Sequence, residues 1–376
     1  MNIAVNTRLL LKDRLEGIGT VIYETMKRIT NDHPEHHFFF LFDREYDDEF
    51  IFSDNITPLI IGPQARHPVL FYLWFEHSIP RILKDIKADL FISPDGYMSL
   101  SSKVKSLSII HDLNFEQFPE HFPWLIKKYY HYYFPRFAKR ADRIATVSEF
   151  SKQDIVSRYK INADKIDVIY NGVNNAFKPQ NPEAIKETRN KYSNGEPYFI
   201  FVGSIQPRKN IKNLLLAFDL FKSNHKQPFK LLIAGAKKWW TSELQKTFED
   251  MKYKNDVVFT GRVTEDELVK ITGAAYAMTY VPFFEGFGIP ILEAFNSGIP
   301  VITSDITSMP EVANGAALLI NPHSSQSISE GMLSIVNDDK LKQDLIAKGN
   351  IRKNDFSWDK SAKLLWESIE RLILNT

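Results

Sequence analysis

The 376-residue chain has no cysteine, which excludes disulfides, thiolate metal sites and a cysteine nucleophile and leaves the redox compartment open. It also lacks any run of the ~20 apolar residues that a spanning helix needs. The longest candidate, Ile271 to Phe284, has fourteen uncharged residues, includes Thr, Gly and Pro, and ends at Glu285. An excess of one charge is missing as well: 47 Lys and Arg stand against 46 Asp and Glu, a formal net charge of +1. No overall field favours nucleic acid, which is not an expected partner. The amino terminus enters a strand-like run, Ile3-Ala4-Val5, without the basic start and apolar core of a signal peptide. The expectation is a cytoplasmic protein, soluble or peripheral to the inner face of the cell membrane.

The hydrophobic content of 44% and aromatic content of 13% are ample for burial and argue against disorder. The length exceeds what one core usually serves, so two domains are expected. Short apolar runs alternate with amphipathic segments throughout. Strands are expected at Ile3 to Val5, Phe38 to Phe42, Leu59 to Ile61, Leu90 to Ser93, Ser106 to Ile110, Arg143 to Val147 and Val168 to Tyr170. Helical spacing marks Thr20 to Thr30, Glu76 to Ile86 and Ser151 to Tyr159. The polar stretch Asn174 to Pro197, with Pro179, Pro182, Gly195 and Pro197, reads as a linker. Strands then resume at Tyr198 to Val202, Lys230 to Ala234, Val257 to Thr260, Ala277 to Val281, Val301 to Thr303 and Leu318 to Ile320. Such alternation predicts parallel sheets covered by helices, with ligands at the carboxyl ends of the strands. The chain closes with an amphipathic helix, Trp358 to Leu374, whose apolar residues include Leu364, Leu365, Ile369 and Leu372.

The stretch richest in chemistry runs from Pro282 to Pro300. Gly286 and Gly288 permit a sharp turn and a close backbone approach, and Pro290 suits the first turn of a helix that Gly298 ends. Glu285 then sits on a loop at a strand end and Glu293 inside the helix. Amides at the helix start suit an anion and the two acids suit hydroxyls, a combination that points to a sugar joined to a phosphate. Equally, a Gly-Phe-Gly turn could simply link a core strand to an amphipathic helix. The strand Tyr198 to Val202 is followed by Gly203-Ser204 and then Arg208-Lys209-Asn210 before a helix. Two cations there could neutralise a diphosphate, or form a solvated basic loop. His111-Asp112 closes another strand, Ser148 reads as an N-cap as readily as a ligand, and Gly17-Ile18-Gly19 precedes the first helix. A dinucleotide fingerprint would need a third glycine, where Ile22 stands. Trp124 to Arg140 mixes seven aromatics with six Lys, Arg or His, which suits either a core helix with a wet basic face or an anionic membrane surface.

Glu285 through Glu293, with Gly-Phe-Gly and Pro between, resembles the signature of the retaining glycosyltransferases of family 4. Gly203-Ser204 with Arg208-Lys209-Asn210, Ile110-His111-Asp112-Leu113 and Gly261-Arg262-Val263 are similar to further segments of that family, in the same order. The resemblance implies a GT-B architecture: an amino-terminal Rossmann-like domain over residues 1–175, a donor-binding one over 196–356, and a helix over 357–376 crossing back to the first. It implies a nucleotide diphosphate sugar donor and a saccharide or polyprenyl-linked acceptor, without metal or other cofactor. Arg208 and Lys209 would stabilise the leaving diphosphate. Glu285 and the amides of Phe287 to Ile289, including Gly288, would hold the donor sugar, and Glu293 the ribose hydroxyls. Gly17 and Gly19 would lie over the donor phosphates. Backbone at Arg262 and Val263 would meet the base, and His111 would face the reacting sugar. The motifs resemble the bacterial mannosyltransferase branch, which implies GDP-mannose, with UDP-sugars as the alternative. No Asp-x-Asp occurs, against the metal-dependent transferases built on one nucleotide-binding domain. A two-lobed, non-catalytic sugar-binding protein is the alternative of another class.

Overall fold

In a computed structural model, residues 1–12, 15 and 17–374 are described. The chain divides into two compact units, one formed by 1–171 with 357–376 and the other by 172–356.

The first unit holds seven parallel strands, β1 (Asn2–Asn6), β2 (His37–Phe42), β3 (Ile56–Ile60), β4 (Leu90–Ser93), β5 (Lys105–Ile109), β6 (Arg143–Thr146) and β7 (Ile166–Val168), in the order β3-β2-β1-β4-β5-β6-β7. The second holds six, β8 (Tyr198–Val202), β9 (Lys230–Ala234), β10 (Val257–Gly261), β11 (Ala277–Tyr280), β12 (Val301–Ser304) and β13 (Leu318–Ile320), in the order β10-β9-β8-β11-β12-β13. Every expected strand is present, displaced by a few residues at most. Central strands such as β4, β8 and β11 are buried along their whole length, which is why they read as unbroken apolar runs rather than alternating ones. In each sheet the winding reverses once, between β1 and β4 and between β8 and β11. Loops leaving the carboxyl ends of those strand pairs therefore diverge and open a crevice, where ligands of such sheets bind.

One expectation needs correction. The stretch read as a linker contains a helix, Pro182–Ser193, capped by Asn181 and started by Pro182, and it belongs to the second unit from Gly172 onward. Its polar face hid it, but Thr188 and Ser193 are buried, Arg189 donates to the Ala274 carbonyl at 2.9 Å, and Tyr192 and Lys191 both reach Glu267. The last helix, Trp358–Leu374, packs with the first unit, its Leu365, Ile369 and Leu372 meeting Ile22, Met26 and β1 and β2 residues. Leu364 lies one step round the helix from that stripe and is 40% exposed.

Candidate active site

At the carboxyl end of β8 the chain turns through Gly203 and a single helical turn, Pro207–Lys209, before the helix Ile211–Asn224 begins. Asn210 makes this turn possible: it adopts a left-handed φ of 63° and is buried, and its amide nitrogen donates to the carbonyls of Val281 (2.9 Å) and Pro322 (2.7 Å). The loop after β8 is thus bolted to the loop after β11. Phe283 N–H donates back to the Arg208 carbonyl at 2.8 Å.

That bolt brings the charges together. Arg208 donates to Gln206 (3.1 Å), to the Phe284 carbonyl (3.1 Å) and to Glu285 (2.5 Å), and Lys209 also pairs with Glu285. Burial pushes the Glu285 carboxyl up, but Arg208 and Lys209 outweigh it and hold the pKa below the ordinary value. Two cations therefore share one carboxylate. Tyr280, buried at the end of β11, donates its hydroxyl to Glu285 and accepts from Lys209 at 2.5 Å. Ser308 donates to the carbonyls of Glu285 (2.9 Å) and Phe287 (3.1 Å), which fixes the loop from behind.

Gly288 caps the helix Ile289–Asn296 with φ 104°, and a Cβ there would lie 2.7 Å from the Met309 side chain. Position 288 therefore favours glycine for its backbone, while the space would be met by a shift of the flexible end of Met309. Glu293 projects from the first turns of this helix. Its Oε2 is buried and has no hydrogen-bond partner among the described residues. Burial and the Glu265 carboxylate raise its pKa to about 7, against the opposing pull of Lys209. A half-ionised acid with an unused oxygen, within electrostatic reach of Lys209, is suited to accept from a ligand's hydroxyl.

The loops after β8, β9 and β10 are stitched together: Gly203 N–H donates to Ala234 O and Gly235 N–H to Gly261 O, both at 2.9 Å. A Cβ on Gly235 would fall 2.0 Å from the Gly203 carbonyl oxygen. Ser204 is half-buried beside this contact, and Gly286 is buried in the β11 loop. Arg262 is exposed and Val263 half-buried at the end of β10, two strands from the β8–β11 crevice.

The remaining expected residues belong to the first unit. His111 donates from Nε2 to the Pro94 carbonyl at 2.9 Å. Burial lowers its pKa, opposed by that hydrogen bond, Asp112 and Asp95, so the ring is neutral with its lone pair on Nδ1. Asp112 accepts from Asn114 N–H (3.0 Å) in a turn. Ser148 is an N-cap: its hydroxyl accepts from Ser151 N–H at 3.0 Å. Gly17 caps the first helix with φ 43°, and a Cβ on Gly19 would lie 2.8 Å from the Leu9 carbonyl oxygen.

Sequence reasoning passed over Tyr280, Gly235 and Ser308. Tyr280 lay inside an apolar run and carried no signal of its own. For Gly235 the signal was a glycine directly after a buried strand, the same cue that pointed to Gly203.

The description Glycosyltransferase Family 4 matches residues 15–177, and Glycosyl transferases group 1 matches residues 171–352. The chain is 29% identical over 278 residues to an O-antigen chain mannosyltransferase B of Escherichia coli, covering 74% of this chain and 73% of that protein. It is 31% identical over 226 residues to the O-antigen chain mannosyltransferase RfbU of Salmonella typhimurium, covering 60% and 59%. A crystal structure of Anabaena Alr3699/HepE in complex with UDP-glucose superposes with a TM-score of 0.76 at 15% identity, covering 99% of this chain and all of that one. The two matched regions together run from residue 15 to 352, and the chain belongs to the glycosyltransferases of GT-B fold, family 4 in its first half and group 1 in its second.

Proposed function

We propose that the chain transfers mannose from GDP-mannose to a saccharide or lipid-linked acceptor with retention at the anomeric carbon, in assembly of a surface polysaccharide. The observation that carries the reading is the group at the β8–β11 crevice: Arg208 and Lys209 sharing Glu285, beside Glu293 with its buried, unpartnered Oε2. In this reading the diphosphate takes the place of Glu285 as partner of the two cations. Charge that develops on the leaving phosphate then meets donors already fixed by Asn210, Gln206 and Tyr280, so no metal is required. Glu285, released from the two cations, accepts hydroxyls of the donor sugar with the amides of Phe287 to Ile289. Glu293 accepts the ribose hydroxyls, and the backbone at Arg262 and Val263 meets the base. His111, neutral and presenting Nδ1, is assigned to the reacting sugar from the first unit, and Gly17 and Gly19 to the donor phosphates. Attack comes from the face the diphosphate leaves, with the departing phosphate as base. The mannosyl donor rests on the two O-antigen relatives; a UDP-sugar is the second reading, since the nucleotide-bound neighbour of this fold holds UDP-glucose.

The test is a melting panel with GDP, UDP, ADP and NAD, run beside Lys209→Met. A ligand at a hundred times its dissociation constant adds about 2.7 kcal/mol to the unit that binds it. GDP is expected to protect the wild type and to lose that protection in the variant. Protection by UDP alone replaces the donor, and protection by no nucleoside diphosphate sinks the transferase mechanism. Turnover of GDP-mannose with chelator present checks metal independence, and the anomeric coupling of the product checks retention.

A further inference from the structure

Six large apolar residues of the first unit stand out of its surface in one place. Val69, Tyr72 and Leu73 come from the short helix Pro68–Leu73, and Trp124, Leu125 and Tyr132 from the helix Trp124–Arg140. The two helices pack side by side through Phe71 on Tyr129 and Tyr72 on Tyr133, with ring centres 5.8 and 6.4 Å apart. This settles the double character of Trp124 to Arg140. Its Tyr129, Phe134, Phe137 and Ala138 are core, whereas positions 125, 128, 132 and 136 form an outward stripe at helical spacing.

Cations are threaded through the apolar groups on that stripe. Lys128 Nζ lies 4.9 Å from the Trp124 ring centre, and the Arg136 guanidinium lies 3.6 Å over Tyr132. Arg66 and His67 are exposed at the start of the neighbouring helix. Carboxylates are absent from residues 121–140 and 66–75. Of the acids flanking these segments in sequence, Glu76 accepts from the amides of Leu100 and Ser101 and Glu116 takes His131 and Tyr159, while Glu120 stays exposed beside His121. No helix among the described residues is long and apolar enough to cross a membrane. A protein partner of ordinary surface charge would meet a face without acids. An anionic bilayer matches both halves of the pattern, since rings of Trp and Tyr settle at the headgroup level while Lys and Arg reach the phosphates.

We propose that the helices Pro68–Leu73 and Trp124–Arg140 together form a docking face for an anionic lipid bilayer, with Trp124, Leu125, Tyr132, Val69, Tyr72 and Leu73 entering the headgroup region and Lys128 and Arg136 held at its phosphates. The proposal stands whether or not the donor reading is right.

The experiment is co-sedimentation of the full chain with vesicles of phosphatidylcholine alone or mixed with phosphatidylglycerol. Binding is expected to the mixed vesicles and to be much weaker on the neutral ones. Lys128→Gln with Arg136→Gln should weaken it about 25-fold, taking about fivefold for each cation. Trp124→Ala with Leu125→Ala and Tyr132→Ala should abolish it, while nucleotide protection in melting stays as in the wild type. Brominated lipid supplies a readout that needs no destabilised variant: it should quench the wild type more than Trp124→Phe. No sedimentation, or equal sedimentation with both vesicles, overturns the proposal. So does a dimer in lipid-free solution that the triple variant dissolves, because the face would then belong to a second copy of the chain.

Discussion

Each sheet is wound outward from a central pair of strands, and at each centre an arginine from one loop meets a carboxylate from the other. In the first unit the pair is Arg8 after β1 and Asp95 after β4, at 2.6 Å. In the second it is Arg208 after β8 and Glu285 after β11, at 2.5 Å. The first is sealed: its side chains are 8% and 2% exposed, and the guanidinium lies among Tyr97, Phe71 and Phe75. Burial opposes the Arg8 charge, but Asp95 and its neighbours outweigh that and raise its pKa. The second is built with a surplus: two cations for one carboxylate, and an acid, Glu293, with an oxygen unused. Winding fixes where a ligand can sit, and the charge balance of the loops decides whether one is recognised.

The comparison breaks most readily at Arg8. Arg8→Met leaves Asp95 buried without its counter-charge, which should cost about 3–5 kcal/mol of stability. Melting of the first unit should fall, and nucleotide protection of the second should survive. Removing a cation at the other centre should do the opposite. In Arg208→Met or Lys209→Met the remaining cation still holds Glu285, so the second unit should stay folded. Transfer should fall about 10²–10³-fold, as when a fixed donor to developing charge is lost. Equal stability losses at both centres would show that the second pair is structural too.

Much of this was legible because buried parallel strands advertise themselves. β4, β8 and β11 are apolar at nearly every position, and the residues just past them are the ones a ligand can meet. Arg208, Lys209, Glu285 and Glu293 were singled out as candidates that way. What stayed hidden depends on which strands become neighbours. Nothing in the spacing of Arg8 and Asp95, 87 positions apart, or of Lys209 and Tyr280, 71 apart, says that they touch. The helix Pro182–Ser193 was missed because so little of it is buried, although Asn181 and Pro182 carried its start signal. Trp124 to Arg140 offered two readings because its spacing gives it two faces, one buried through Tyr129, Phe134 and Phe137 and one exposed.

Tyr280→Phe sharpens the comparison at a smaller scale, since it leaves both cations and Glu285 in place and removes only the hydroxyl that joins them. The net loss of one such hydrogen bond is about 1–1.5 kcal/mol. The expected result is roughly a tenfold fall in kcat/KM for the donor, the size of that loss, with the Arg208→Met defect unchanged in direction. A fall as deep as that of Lys209→Met would mean that the hydroxyl itself meets the donor.

The mildest test concerns Glu293. Its pKa is raised to about 7 in the folded chain, so the folded state binds this proton more readily than the unfolded one. Its contribution to stability is therefore complete below the unfolded value near 4.5 and is lost as pH rises through about 7. Glu293→Gln should flatten that part of the stability profile and stabilise the second unit by about 1 kcal/mol at pH 8, below the full linkage value because the side chain is partly exposed. Binding should respond with the reverse sign. If the ionised carboxylate accepts ribose hydroxyls, GDP affinity in the wild type rises from pH 6 to pH 8 and is level and weaker in Glu293→Gln. Arg8 and Asp95, sealed in the first unit, are the contrast. An affinity that is level with pH in the wild type would place Glu293 with them, among the groups that hold the fold.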